Sequence, residues 1–130
     1  MKLSDGPMEM ESEVWMMEDC LFCKIIAGEI PSQKVYEDED TYAFCDINPQ
    51  APAHVLVVSK KHTPDVAHHA ELNDRELAAC LRACAKVAER LNLTGDGFRV
   101  VANCGENACQ TVGHMHFHVM GGAKLSERMA

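Results

Sequence analysis

The sequence predicts an α+β domain, an antiparallel sheet carrying one main helix and a short helix near the N-terminus. Three observations lead there. Two short strand-like runs, 33–37 and 41–45, flank an acidic turn. A single long stripe at helical spacing follows a capping pattern at Asn73. Three further apolar runs, 54–59, 98–102 and 114–120, have strand length.

Residues 1–19 are rich in methionine, acidic and aperiodic, and read as a flexible extension preceding a domain over 20–130. Cys20 to Gly28 reads as a short helix, with Leu21 and Ile25, and Phe22 and Ile26, four residues apart and a glycine at its end. Pro31 prevents its resumption. The strands at 33–37 and 41–45 form a hairpin about Asp38-Glu39-Asp40. Asp46 to Pro52 is a proline-punctuated loop, in which Asp46 either caps a turn or serves a ligand.

His54 to Ser59 is nearly continuously apolar and belongs at the centre of the sheet. Asn73 and Glu76 form a capping box, after which Leu77, Cys80, Leu81, Cys84, Val87, Ala88 and Leu91 mark the buried stripe of a helix of about 18 residues. Its cysteines are core filler. A strand at 98–102 leads into a polar loop, 103–111, suited to backbone N–H groups converging on an anion.

Composition narrows the function classes. The 130 residues form one domain with 47% hydrophobic and 25% charged content, the balance of a globular protein. A net charge of −8 argues against a nucleic-acid backbone as partner, and no run reaches the length of a membrane span. Seven cysteines without a disulfide pattern, and glutamates interrupting any leader-like run, make cytoplasmic residence the expectation.

The chemistry concentrates in His114-Met115-His116-Phe117-His118-Val119-Met120. In a strand, alternate side chains share a face, so three imidazoles face one way and three apolar groups the other, with successive histidines about 7 Å apart. Imidazole can attack, carry a proton or bind metal near neutral pH, and such a row can surround one small anionic group. Buried histidines are otherwise commonly satisfied core residues, but strict alternation between Gly113 and Gly121-Gly122 favours a site.

His-φ-His-φ-His-φ-φ, with φ apolar, resembles the signature of the histidine triad superfamily. The resemblance continues through Phe22 to Ile26, Ala43 to Ile47, Gln50 to His54, Lys60-Lys61-His62 and Gly121-Gly122, covering nearly all of 20–122. It is similar to the Hint branch, purine nucleoside phosphoramidases that form symmetric dimers. What this implies is hydrolysis of adenosine or guanosine 5′-phosphoramidates, with His116 attacking the α-phosphorus, His118 holding the phosphate and His54 supporting the proton inventory. Thr111 stands at a serine position that supplies a hydroxyl to the leaving nitrogen, and its added methyl stiffens χ1. Asn103 and Gln110 match phosphate-orienting positions and Asp46 the ribose-binding carboxylate. Phe22, Ile25, Phe44 and Ile47 match the purine walls, positions that core residues would equally occupy.

The same resemblance implies a structural zinc held by Cys20, Cys23, His62 and His114, a closed Cys₂His₂ set; the alternative is a pair of reduced thiols with His114 orienting its neighbours. No cofactor is expected to take part in catalysis. Ser59 replaces a proline common before the Lys-Lys-His run, and 123–130 lack the Trp-Pro-Pro ending of many members, which bears on substrate preference. Two other readings compete: a dinucleoside polyphosphate hydrolase using the same triad, and a zinc-stabilised nucleotide-binding adaptor with little turnover.

Overall fold

A computed structural model describes residues 19–128; the expected N-terminal extension lies, except for Asp19, outside them. Five antiparallel strands form one sheet, in the order β1 (Lys34–Glu37), β2 (Thr41–Cys45), β3 (Ala53–Ser59), β5 (His116–Gly121), β4 (Phe98–Val101). Helix α1 (Leu21–Ile26) precedes the sheet and helix α2 (Asp74–Arg90) crosses it between β3 and β4.

Register explains why one sheet has a dry face and a chemical one. Val55 lies opposite Val119 and Val57 opposite Phe117, while Leu56 lies opposite His118 and Val58 opposite His116. Residues paired across strands share a face. Val55, Val57 and Val119 therefore pack with Ala43 under Ala83, Cys84, Val87 and Ala88 of α2, all at most 1% exposed. Each valine so buried contributes about 1.5–3 kcal/mol. On the other face Leu56, Val58 and Phe44 pack with Phe22 and Ile25 of α1. The two helices thus cover opposite faces, and the central strand β3 reads as continuously apolar because it is covered on both.

Local signals set the boundaries. Asn73 accepts from Glu76 N–H while the Glu76 carboxylate accepts from Asn73 N–H, the reciprocal cap that starts α2. Asp38 Oδ1 accepts from the N–H groups of Asp40 and Thr41 at 2.8 Å each, which closes the hairpin. Two expectations are corrected, and one element was not expected. Leu21 and Leu81, placed on buried stripes by their spacing, are 44% and 63% exposed. Strand β5 begins at His116, two residues late, because Met115 N–H donates to Thr63 O at 2.7 Å and ties 114–115 to the segment after β3. A 3₁₀ segment, Val66–Glu71, which no periodicity announced, precedes the cap of α2.

Candidate active site

The three alternating histidines are on one face, and each is held differently. His116 is 5% exposed, and its Nδ1–H donates to the His114 carbonyl at 2.7 Å. A neutral imidazole so bound keeps the lone pair on Nε2. Burial pushes its pKa below the ordinary imidazole value, against the His114 carbonyl and Asp46, which raise it. Near neutral pH the ring is therefore uncharged, the state a nucleophile needs. Phe22 meets it edge-on, centroids 5.1 Å apart at 88°.

His118 is 5.2 Å from His116, centroid to centroid, and its Nδ1 lies 2.9 Å from His54 Nε2. Burial, then the neighbouring His116 and His54, push its pKa down to about 4. Asp46 adds a carboxylate, its Oδ2 at 3.4 Å from His54 Nε2, while its Oδ1 accepts from Asn48 N–H at 2.8 Å. Both readings of Asp46 are met in part: it caps its own turn, and it faces the histidine pair.

His114 is fully buried. Its Nε2–H donates to the Ser59 carbonyl at 2.7 Å, which leaves the Nδ1 lone pair toward Cys20 Sγ at 3.4 Å, Cys23 Sγ at 3.6 Å and His62 Nδ1 at 3.2 Å. His62 Nδ1 is also 3.4 Å from Cys23 Sγ. All four ligand atoms fall within 4.8 Å of one another. Cys20 caps α1, so the helix start is built into the cluster. Burial and Cys20 push the Cys23 thiol up to about 12, and burial lowers His62. Two thiols beside two imidazoles, all within reach of one point, are the donor set a divalent cation would deprotonate and bind. The residues fit zinc, which would fasten α1 to the sheet.

The remaining expected residues divide. Phe22, Ile25 and Phe44 are 4–7% exposed and sit in the core beneath the histidines, whereas Ile47 is 91% exposed. Thr111 is exposed and Asn103 half-buried in the loop before β5. Gln110 is occupied: its side-chain N–H groups donate to Pro64 O and Val112 O, and its Oε1 accepts from Gly105 N–H. The loop was expected to turn its N–H groups on an anion. Those of Gly105, Ala108, Cys109 and Gln110 are instead spent within the loop itself. Sequence reasoning missed the groups that fix the rings, the carbonyls of Ser59 and His114 and the N–H of Gln50; backbone atoms carry no residue-type signal. An open concavity of about 570 Å³ along β1 lies apart from the histidines, and its Lys34 and Lys60 already pair with Glu37.

Fold and site together define a small α+β domain whose central strands present a histidine row beside a Cys/His cluster. The HIT domain family matches residues 27–125, and the chain belongs to that family. It is 37% identical over 115 residues to the purine nucleoside phosphoramidase of Escherichia coli, covering 88% of this chain and 97% of that one. It is 42% identical over 121 residues to the 14 kDa zinc-binding protein of Zea mays, covering 91% and 94%. The solved structure of a HIT family hydrolase from Clostridium thermocellum superposes with a TM-score of 0.80 at 43% identity, covering 87% of this chain and 98% of that one. Among the described residues no helix is long and apolar enough to cross a membrane.

Proposed function

We infer that the protein hydrolyses the P–N bond of adenosine or guanosine 5′-phosphoramidates through a covalent nucleotidyl-histidine. The observation that carries this is the hydrogen bond from His116 Nδ1–H to the His114 carbonyl, which leaves a buried, uncharged Nε2 as attacking atom. The similarity to the phosphoramidase of Escherichia coli supports the substrate class. In the first step Nε2 forms a bond to the α-phosphorus as the P–N bond breaks, and the departing amine takes a proton from solvent by way of the exposed Thr111 hydroxyl. Water then attacks phosphorus, the P–Nε2 bond breaks, and the nucleoside monophosphate leaves.

His118 donates to a phosphate oxygen from its Nε2–H, offsetting charge as it develops. The Thr111 hydroxyl is assigned to the leaving nitrogen, Asp46 to the ribose and Asn103 to the phosphate surroundings; Ile47 is the exposed apolar wall for the base. Gln110 holds the loop rather than the ligand. Cys20, Cys23, His62 and His114 would hold a zinc ion whose contribution is to the fold. Purified protein should release AMP from adenosine 5′-phosphoramidate faster than from diadenosine polyphosphate. The reverse preference would move the assignment to the polyphosphate hydrolases.

The protein acts as a dimer in this reading. Strand β4 is an edge, its Phe98 and Val100 are each 37% exposed, and Leu81 of α2 is 63% exposed. Light scattering should give twice the chain mass of 14.4 kDa. Val100→Arg should give the mass of one chain.

A further inference from the structure

Asp46, His54 and His118 place three ligand atoms within 4.8 Å of one another, as the zinc cluster does with four. One backbone group separates their chemistry. The N–H of Gln50 donates to His54 Nδ1 at 2.9 Å. A ring nitrogen that accepts cannot also carry a proton, so neutral His54 must be protonated at Nε2. That Nε2–H points at His118 Nδ1, 2.9 Å away, with Asp46 Oδ2 as a second acceptor at 3.4 Å. The same reasoning then applies to His118: its Nδ1 accepts, so its proton sits on Nε2.

We propose that the Gln50 backbone amide is a positioning group that fixes the proton order of the site, through His54, so that His118 presents Nε2–H to the phosphate. This rests on the reading of His118 as the phosphate holder. A second proton on either ring would set donor against donor, at Gln50 for His54 and at His54 for His118. The burial that lowers the pKa of His118 acts in the same direction on that ring. Asp46, from the loop after β2, and His116, on β5, are the other titratable groups facing the pair. His54 Nε2, holding its proton, has no in-plane lone pair for an ion, so this cluster is a hydrogen-bond relay. It also has no proton to release: His54 and His118 hold one each, and both are committed. The proton taken by the departing amine must come from outside the pair.

Two-bond ¹H–¹⁵N spectra of the ligand-free protein test the proton order directly. Both His54 and His118 should show a protonated Nε2 and a bare Nδ1 near neutral pH, and His118 should not change between about pH 5.5 and 8, where an ordinary imidazole titrates. A protonated Nδ1 on either ring, or a titration of His118 within that range, would overturn the proposal. Gln50→Pro removes the N–H. His54 should then carry its proton on Nδ1 in part of the molecules, and kcat should fall severalfold with its acid limb displaced. Gln50→Ala, which keeps the N–H, should restore the wild-type spectra and profile. Identical spectra for the proline and alanine variants would also overturn it. If Gln50→Pro does not fold, the wild-type spectra still decide. If phosphoramidates are not turned over, the proposed reaction fails, while the spectra alone support or overturn the relay.

Discussion

Two histidine clusters lie on one face of the sheet with ligand atoms equally crowded, within 4.8 Å in each. They differ in what holds the far nitrogen of one ring. Behind His114 stands a carbonyl, Ser59 O, which takes the ring's proton and turns a lone pair toward two sulfurs and a nitrogen. Behind His54 stands an N–H, that of Gln50, which takes the lone pair and turns a proton toward His118. The same side chain offers a lone pair in one case and a proton in the other, decided by the polarity of a backbone group behind it. His116 lies between them, tied to one cluster by the His114 carbonyl and beside the other through His118.

That contrast can be broken at several points. The largest effect belongs to His116 itself, to which the proposed reaction assigns the bond to phosphorus. His116→Ala should lower AMP release by roughly four orders of magnitude or more while nucleotide still binds. His118→Ala, which removes a donor rather than the nucleophile, should cost about 10²–10³-fold. Equal losses would show that the two rings act as one unit.

Metal content separates the clusters next. The protein should carry one zinc per chain by elemental analysis. Cys23→Ala or His62→Ala should lose it, and Asp46→Asn should retain it. Chelation should lower thermal stability, since binding free energy of a closed structural site adds to folding free energy. Retention of zinc in the Cys23 and His62 variants would remove that assignment.

The segment that enters β5 gives a control. Met115, 1% exposed between His114 and His116, packs against Leu72 and Cys80. Met115→Ala should cost about 2–5 kcal/mol in urea unfolding, with zinc still bound.

A smaller effect follows from charge. His118 is held down to about 4 from an ordinary 6.5. Between those values the unfolded chain binds the proton and the folded one does not, so stability rises with pH across that window. It should be complete above about pH 6.5 and decline toward pH 4 by at most roughly 3 kcal/mol for this ring. His118→Asn should flatten that slope, which unfolding curves at several pH values would measure.

Much of the fold was legible because its signals are local. The Asn73–Glu76 box, the Asp38 turn and the alternation of 116–120 each require only residues a few positions apart, and the elements formed where these signals lie. Leu21 and Leu81 misled because spacing gives a face without saying how wide the covering layer is; they remain 44% and 63% exposed. The loop 103–111 misled for a related reason. Small polar residues can aim N–H groups at a ligand or at one another, and here four are aimed inward.

The sequence by itself determined that His116 and His118 share a face, because a strand repeats every two residues, whereas the Cys/His set spread from 20 to 114 was legible only through the resemblance to a family. Only the tertiary structure decided which nitrogen of each ring is free. That choice depends on Ser59, His114 and Gln50 offering a carbonyl or an N–H at 2.7–2.9 Å. Every residue but proline carries both groups, so the alphabet of side chains cannot record which of them the fold turns toward a ring.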